Sequence, residues 1–574
     1  MTIPSSFCTI CTEPCKQELV GFLLSLSLHH PNSKLYIMCD TRTKQEIQEM
    51  SIQPKLQIHW YVELDKYTSL DRAKMTKLGL FSEFLNSKAQ IIQKALEYEK
   101  DTLFLDSDTI ILDQLNDVDT TKRLGVSPHL IKQKDTERVG YYNAGMLWTN
   151  DNTVPQKWIK YTQQSRYFEQ ASIEDLAEEY GVHGSGGFGK DRENRGFEFG
   201  ENYNLQTWRF KLGLETTQQI ANNIIIEKRT SENQGRPLQI YYRNKSQPLK
   251  FIHTHFNKND MMNDINQFFI SILTRAGRYK ELMIIYRLVH GFWNISIPKQ
   301  PMSGLGQHNN DSFRELPILW MRNHKDVKVS LSNNSIHCWL QPYVCLYDRP
   351  TMRWVDRECI QKTKLFLLGN GDIDGKEGEF LKQCYSLGFD GEVRPWIFWP
   401  RRPIILEKVL EKGRLEYNER TIDSIFIGNF ENDVQAKYRN TNEDWKSILT
   451  EYHCTAGHTH KFTQQEYLEK LRASRFGLCL RGFGGKCHRE VELMAFGTVP
   501  VVTPEVSIQS YYDPPIEGVH YLRANSPEDF KRVVSNVSQE KWETMSQACW
   551  EWYQRNVHSK QSWVNMMNYV LYST

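Results

Sequence analysis

The stretch Thr102-Leu103-Phe104-Leu105-Asp106-Ser107-Asp108-Thr109-Ile110-Ile111-Leu112 limits what this chain can fold into more than any other. An apolar run carries the backbone to two carboxylates one residue apart, and a second β-branched run follows. The pattern predicts a buried strand that ends in an acidic pair. In an extended segment residues i and i+2 point the same way, so Asp106 and Asp108 are expected to face one site together. Two hard oxygen ligands on one side suit Mg²⁺ or Mn²⁺, which keep positions open for phosphate oxygens. The same spacing recurs at Asp117-Val118-Asp119 and Asp372-Ile373-Asp374, but only the first copy directly follows one apolar strand and precedes another.

The flanking sequence reads as strand, helix and strand in alternation. Strands are expected at 7–12, 34–40 and 56–62, and helices near 16–30 and 81–98, the second leading into the acidic strand. Such alternation predicts an α/β fold, a sheet with crossover helices whose ligands gather at carboxyl ends of strands, where Asp106 falls. Later, Tyr141-Tyr142-Asn143-Ala144-Gly145-Met146-Leu147-Trp148 is another apolar strand; its small Ala144 and Gly145 let backbone approach a ligand, and Asn143 offers an amide. The segment 181–189 is too glycine-rich for a regular element and reads as a loop.

At 574 residues the chain exceeds what one core usually organises, and loss of apolar periodicity with gain of Pro, Gly and Asn over 297–310 marks the join between domains 1–300 and 301–574. A balance of 71 basic against 69 acidic residues gives no field that would collect nucleic acid. The start lacks a basic segment followed by an apolar one, and the run 19–28 is far short of a membrane span. No transmembrane segment is expected, and the cytoplasm is the expected location, that of a host cell should the chain be viral. The 12 cysteines are accordingly expected to be reduced, with Cys8, Cys11 and Cys15 as ordinary buried thiols.

Three features in order, an opening strand ending in Thr12-Glu13, the strand carrying Asp106-Ser107-Asp108, and Asn143-Ala144-Gly145-Met146, resemble nucleotide-sugar glycosyltransferases of the GT-A fold over about residues 5–260. The resemblance implies that Asp106 and Asp108 hold Mn²⁺ or Mg²⁺ on the donor diphosphate. It also implies donor contacts from Thr12, Ser107, Asn143, Ala144 and Gly145, and a late histidine as third metal ligand. Phe251-Ile252-His253-Thr254-His255-Phe256 supplies that histidine, with His253 favoured by position over His255. The family's Gly-x-x-Lys element is not clearly present, although Lys258 follows closely. Glu174 and Asp175 are candidates for the base that deprotonates an acceptor hydroxyl, though both also fit an exposed acidic helix.

The second half starts a new α/β pattern, with strands expected at 364–371 and 424–429. Its informative segment, 475–502, reads as strand, glycine-rich basic loop, helix and short strand. Arg481, Lys486 and Arg489 beside a helix start make a site for a diphosphate without metal, and Glu492, one turn after Arg489, could accept ribose hydroxyls. The Arg489-x-x-Glu492 spacing, the helix ending at Gly497 and the Val499-Pro500-Val501 strand resemble the donor-binding half of exostosin-like GT-B glycosyltransferases. That resemblance implies a compact Rossmann-like pair, with possible halves 312–415 and 416–574. Together the two resemblances imply a bifunctional transferase that uses nucleotide-sugar donors and an oligosaccharide or glycoprotein glycan acceptor. The alternatives are a single active transferase with an accessory glycan-binding domain, or a non-catalytic glycan-binding protein. Trp396, Trp399, Arg401 and Arg402 could line a sugar cleft but equally suit core packing, and His453, His458 and His460 have no metal spacing.

Overall fold

The computed structural model describes residues 2–203, 205–206, 221–230, 236–243, 247–253, 256, 264–297, 307–331, 338–340, 366–370, 392–396, 400–430, 433–439, 443–457, 460–482, 485–511 and 513–572. The chain divides into two compact units, Met1–Trp293 and Asn294–Thr574.

In the first unit the strands are β1 (Ser6–Cys11), β2 (Lys34–Cys39), β3 (Gln57–Val62), β4 (Thr102–Leu105), β5 (Thr109–Ile111), β6 (Leu124–Pro128), β7 (Tyr142–Thr149), β8 (Gly196–Glu198), β9 (Leu205–Gln206), β10 (Ile224–Ile226), β11 (Ile240–Tyr242) and β12 (Phe251–His253). Seven of them form one mixed sheet in the order β3-β2-β1-β4-β7-β6-β8. β1 to β4 are parallel where they pair, and β7 runs antiparallel to β4 and β6. The helix Lys16–His29 is buried from Glu18 to Ser27, as its unbroken apolar run dictates. On the helix Phe81–Leu96, Leu85, Ile91, Ile92 and Ala95 lie at helical spacing and are buried, and Ile91, Ile92 and Ala95 pack with Phe104 and Leu147 of the sheet.

One expectation changes here. Asp106 and Asp108 do not lie in one extended strand, because β4 ends at Leu105 and β5 belongs to a separate three-stranded sheet of order β5-β12-β9. The acidic pair occupies the turn where the chain leaves one sheet for the other. The cause is local pairing: Asp106 N–H still donates to Gly145 O at 3.0 Å, and from Thr109 the partner is the antiparallel β12 instead of β7.

The second unit contains β13 (Trp293–Ile297) from its second residue on, β14 (Val327–Leu331), β15 (Cys338–Leu340), β16 (Phe366–Asn370), β17 (Glu392–Trp396), β18 (Ile422–Phe430), β19 (Glu451–Ala456), β20 (Ser474–Cys479), β21 (Val499–Val502) and β22 (Leu522–Arg523). They form two five-stranded sheets, ordered β14-β13-β15-β16-β17 and β19-β18-β20-β21-β22. The second is parallel throughout, and its order reverses between β18 and β20, the position where open α/β sheets leave a crevice. Phe426, Phe476, Leu478, Val499, Val501 and Trp542 are part of its core. The helix Gln307–Asn323 begins inside the stretch expected to be linker. No described helix is long and apolar enough to cross a membrane.

Within the first unit, the helices Lys16–His29 and Tyr279–His290 are joined by a buried charge cluster. Glu281 Oε1 lies 3.1 Å from His29 Nε2 and 3.3 Å from Arg278 Nη1. Burial alone would raise the Glu281 pKa, but the His29 hydrogen bond and the Arg278 charge hold it at about 2. A carboxylate depressed in this way stabilises the fold fully above its unfolded pKa of about 4.3, and the contribution is lost as pH falls toward 2. Glu281→Gln should therefore cost about 2 kcal/mol at pH 7, and should flatten the decline in stability between pH 4.5 and 2. Urea titration of both proteins across that range checks it.

Candidate functional site

The carboxyl end of the first sheet opens into a cavity of about 220 Å³. Asp106, Asp108, Asn143, Ala144, Gly145 and His253 line it together with Lys88, His129, Glu169 and Gln170. β5 and β12 pair Thr109 with His253, which sets the histidine directly against the acidic turn. His253 Nε2 stands 2.8 Å from Asp108 Oδ1 and 4.0 Å from Asp106 Oδ2. One ligand atom from each of Asp106, Asp108 and His253 lies within 4.8 Å of the other two. Two carboxylates and one imidazole suit a borderline-hard divalent ion such as Mn²⁺.

Gly145 explains why a small residue belongs on this strand. A Cβ there would stand 2.7 Å from Asp106 Oδ2 and 2.8 Å from His253 Cε1, closer than non-bonded atoms approach. Asn143 Oδ1 accepts the Gly145 N–H at 2.8 Å, which fixes the amide so that its buried Nδ2 has no partner among the described residues. A buried amide donor at the wall of a polar cavity is available to a ligand oxygen.

Lys88 was not legible as a site residue, although its position in the buried stripe of an amphipathic helix is the signal that marks it. Its ammonium contacts Asp106 Oδ1 at 2.9 Å, Glu169 Oε1 at 3.2 Å and Ala144 O at 3.3 Å. Burial opposes its charge, yet Asp106 and Glu169 together hold its pKa well above the ordinary lysine value. Lys88 is shared by Asp106 and Glu169, while Asp108 meets His253, and a divalent ion set between Asp106, Asp108 and His253 would add positive charge to this carboxylate-rich wall. Glu169 and Gln170 open the segment 169–180 that the GT-A resemblance sets beside the acceptor, although no motif singles out either residue. They reach the cavity because the short helix Phe168–Ala171 begins at Phe168, whose φ of 44° is strained for a bulky residue. Arg72 and Arg138 bring exposed guanidinium groups to the same cavity.

Glu174 and Asp175, the expected bases, do not line the cavity. Glu174 accepts the Tyr141 N–H at 2.8 Å and pairs with Arg166 at 2.6 Å, so it anchors the entry to β7. Asp175 is exposed on the helix Ile173–Glu179, its pKa raised by partial burial and the Glu174 charge. The carboxylate that this region delivers is Glu169. Thr12, just past the end of β1, and Ser107, within the acidic turn, are both buried and outside the cavity lining. His255 and Lys258 lie outside the described residues.

In the second unit, Arg489 projects from the helix His488–Ala495 to the carboxyl end of β18. Its Nε and Nη2 donate to Ile427 O at 3.2 and 2.6 Å, its guanidinium covers the Phe426 ring at 4.4 Å, and its buried Nη1 has no partner among the described residues. Glu492 shares that helix but is committed inside the protein. Its Oε1 accepts the Arg401 N–H at 2.9 Å and its Oε2 the Tyr467 hydroxyl at 2.8 Å. Arg439, which no motif marks, donates to Asn429 O, Arg481 O and Cys487 Sγ, and so ties the basic loop to β18. Lys486 is buried with its ammonium 5.5 Å from the Tyr511 ring centroid, and Arg481 lies 5.8 Å from that of Tyr438. Trp399 and His458 lie outside the described residues.

No protein-family model and no curated protein matches the chain. Among solved structures, an active-site mutant of LgtC is similar over 46% of this chain and 94% of its own, at 13% identity and a TM-score of 0.29. The apo glycosyltransferase GlyE of Streptococcus pneumoniae TIGR4 aligns over 94% of this chain and 100% of its own, at 9% identity and a TM-score of 0.28. Mouse xyloside xylosyltransferase 1 aligns over 44% and 99%, at 11% identity and a TM-score of 0.27. At such scores these likenesses assign neither fold nor activity to this chain.

The contacts at Gly145 yield a direct expectation. Gly145→Ala should weaken Mn²⁺ binding by about tenfold or more, because the new methyl displaces Asp106 or His253, while the fold persists. Titration of Mn²⁺ followed by electron paramagnetic resonance, with far-UV circular dichroism as the fold control, measures both.

Proposed function

We propose that the first unit is a metal-dependent glycosyltransferase of the GT-A type, moving a sugar from a nucleotide-sugar donor to an oligosaccharide or glycoprotein glycan. The observation that carries this reading is the convergence of Asp106, Asp108 and His253 with the Lys88–Glu169 pair on one cavity. Asp106, Asp108 and His253 would hold Mn²⁺ or Mg²⁺, which when bound would offset negative charge on the departing nucleoside diphosphate. Lys88 fixes the Asp106 carboxylate and prevents its rotation away from His253. The Asn143 amide can donate to a donor hydroxyl or phosphate oxygen, and the exposed Arg72 and Arg138 can pair with phosphate. Glu169, held by Lys88 on the cavity wall, would orient the transferred sugar.

A second reading concerns the second unit, as an exostosin-like GT-B transferase that needs no metal and makes the whole chain bifunctional. It is favoured by the buried Nη1 of Arg489, without a partner among the described residues, at the point where the parallel sheet reverses order. A guanidinium there can bind diphosphate in place of a metal.

Both readings are tested on the full chain by nucleoside diphosphate release from a panel of nucleotide sugars, with Mn²⁺ or with EDTA. One donor should turn over only with metal, and Asp106→Asn or Asp108→Asn should reduce that rate on the order of 10²-fold or more. Undiminished turnover of that donor in either variant sinks the metal-site reading. In the Asp106→Asn protein a different donor should still turn over in EDTA. Silence toward every donor in that arm leaves a single transferase with an accessory glycan-binding part.

A further inference from the structure

Among the described residues, a second concave site lies wholly within the second unit and belongs to neither arrangement above. It is a groove of about 630 Å³ lined by Glu407, Leu410, Glu411, Arg414, Gln547, Trp550, Gln554, His558 and Lys560, among others. Two helical stripes supply most of it. Glu407, Leu410, Glu411 and Arg414 follow the i, i+3, i+4, i+7 spacing along the helix Pro403–Leu410 and the turn after it. Gln547, Trp550 and Gln554 follow i, i+3, i+7 on the helix Gln539–Asn556, opposite to the buried Cys549, Trp552 and Tyr553.

The chemistry of this lining is specific. Trp550 is half-buried, and its indole neither stacks on a described ring nor donates its N–H to a described acceptor. The Gln554 amide is likewise without a hydrogen bond to any described residue. Two carboxylates, Glu407 and Glu411, are matched by Arg414 and Lys560, and burial pushes the His558 pKa below the usual imidazole range against the pull of Glu407. The carboxylates and the two permanent cations of the groove thus balance in number. Glu407 is already tethered, accepting the Ser559 N–H at 3.1 Å with His558 Nε2 3.8 Å away, and Arg414 donates to Ser546 Oγ at 3.2 Å. These polar groups are held in place before any ligand arrives.

A flat indole suits the C–H face of a pyranose ring, and planar amide and carboxylate groups suit pairs of vicinal hydroxyls. The volume falls within the range of pockets that hold small ligands. From the open indole, the helical amide stripe beside it and the balanced charge, we infer that this groove binds a neutral oligosaccharide. It would hold a glycan at a place separate from the residues proposed for donor chemistry.

The test is direct binding to the full chain without donor or metal, by saturation-transfer NMR and calorimetry at millimolar sugar. The probes are maltotriose, cellotriose, mannotriose and triacetylchitotriose, with sialyllactose as an anionic sugar and a Gly-Ser peptide as a non-carbohydrate. At least one neutral trisaccharide should bind, and Trp550→Ala and Gln554→Ala should each weaken it by about tenfold or more with circular dichroism unchanged. Any donor turnover shown by the unaltered chain, with Mn²⁺ or with EDTA, should be matched by the Trp550→Ala protein, and the binding measurement itself does not depend on which donor reading holds. Should Trp550→Ala fail to fold, Gln554→Ala decides alone. Binding of sialyllactose or the peptide alone, no binding in the panel, or undiminished binding by the folded variants overturns the inference.

Discussion

Pairing of Thr109 with His253 is the constraint on which the first site depends. β5 is only Thr109–Ile111 and β12 only Phe251–His253, so a slip of one residue would turn His253 to the other face of its sheet. Register here is held by charge and packing beyond the ladder. Lys250, just before β12, is buried with its ammonium on Gln114 O at 2.8 Å, Asn116 Oδ1 at 2.9 Å and Asp113 Oδ2 at 3.2 Å. Leu112 N–H in turn donates to Lys250 O at 2.8 Å. The lysine clamps the strand exit that follows Asp108, and the acidic turn keeps its shape as a result.

Much of the fold could be read from apolar periodicity. β1, β2, β3 and the helix between β1 and β2 fall within a residue or two of where alternating patterns put them, since each element must bury one continuous face, whereas the helix Thr41–Gln48 between β2 and β3 was not read. The break in the acidic stretch could not be read, because Phe104 and Ile110 are equally apolar and nothing local tells that their partners lie in different sheets. Asp106 and Asp108 stood out through the apolar strands on either side of them, whereas the donor contacts of Asn143 and Gly145 and the ligand role of His253 were implied by the GT-A resemblance. The roles of Lys88 and Glu169 were harder to read, although Lys88 falls in a buried helical stripe and Glu169 opens the segment set beside the acceptor by resemblance. Each is an ordinary surface residue by composition, and only tertiary packing brings Glu169 to Lys88 and both to Asp106.

The second unit shows the same division between what spacing fixes and what folding decides. Arg489 and Glu492 do share a helix face, as three-residue spacing requires. Yet the partners of Glu492 come from 91 and 25 residues away in sequence, and they turn it into a joint between Arg401 and Tyr467. Glycine in this region serves arginine. A Cβ at Gly428 would stand 2.8 Å from Arg489 Nη2, and one at Gly482 would stand 2.8 Å from Arg439 Nη2. Both glycines leave room for a guanidinium beside main chain, and a bulkier residue at either place would expel it.

The separation of the first site's parts along the chain bears on how the protein comes into being. Lys88, Asp106, Asp108, Asn143 and Glu169 are all translated well before His253, whose strand then inserts between β5 and β9. A growing polypeptide can thus bury the seven-stranded sheet while its acidic turn still carries uncompensated charge, until the last strand docks. Ion capture during synthesis would wait on that closing step, which makes the completed centre a late reporter of correct folding of the first unit.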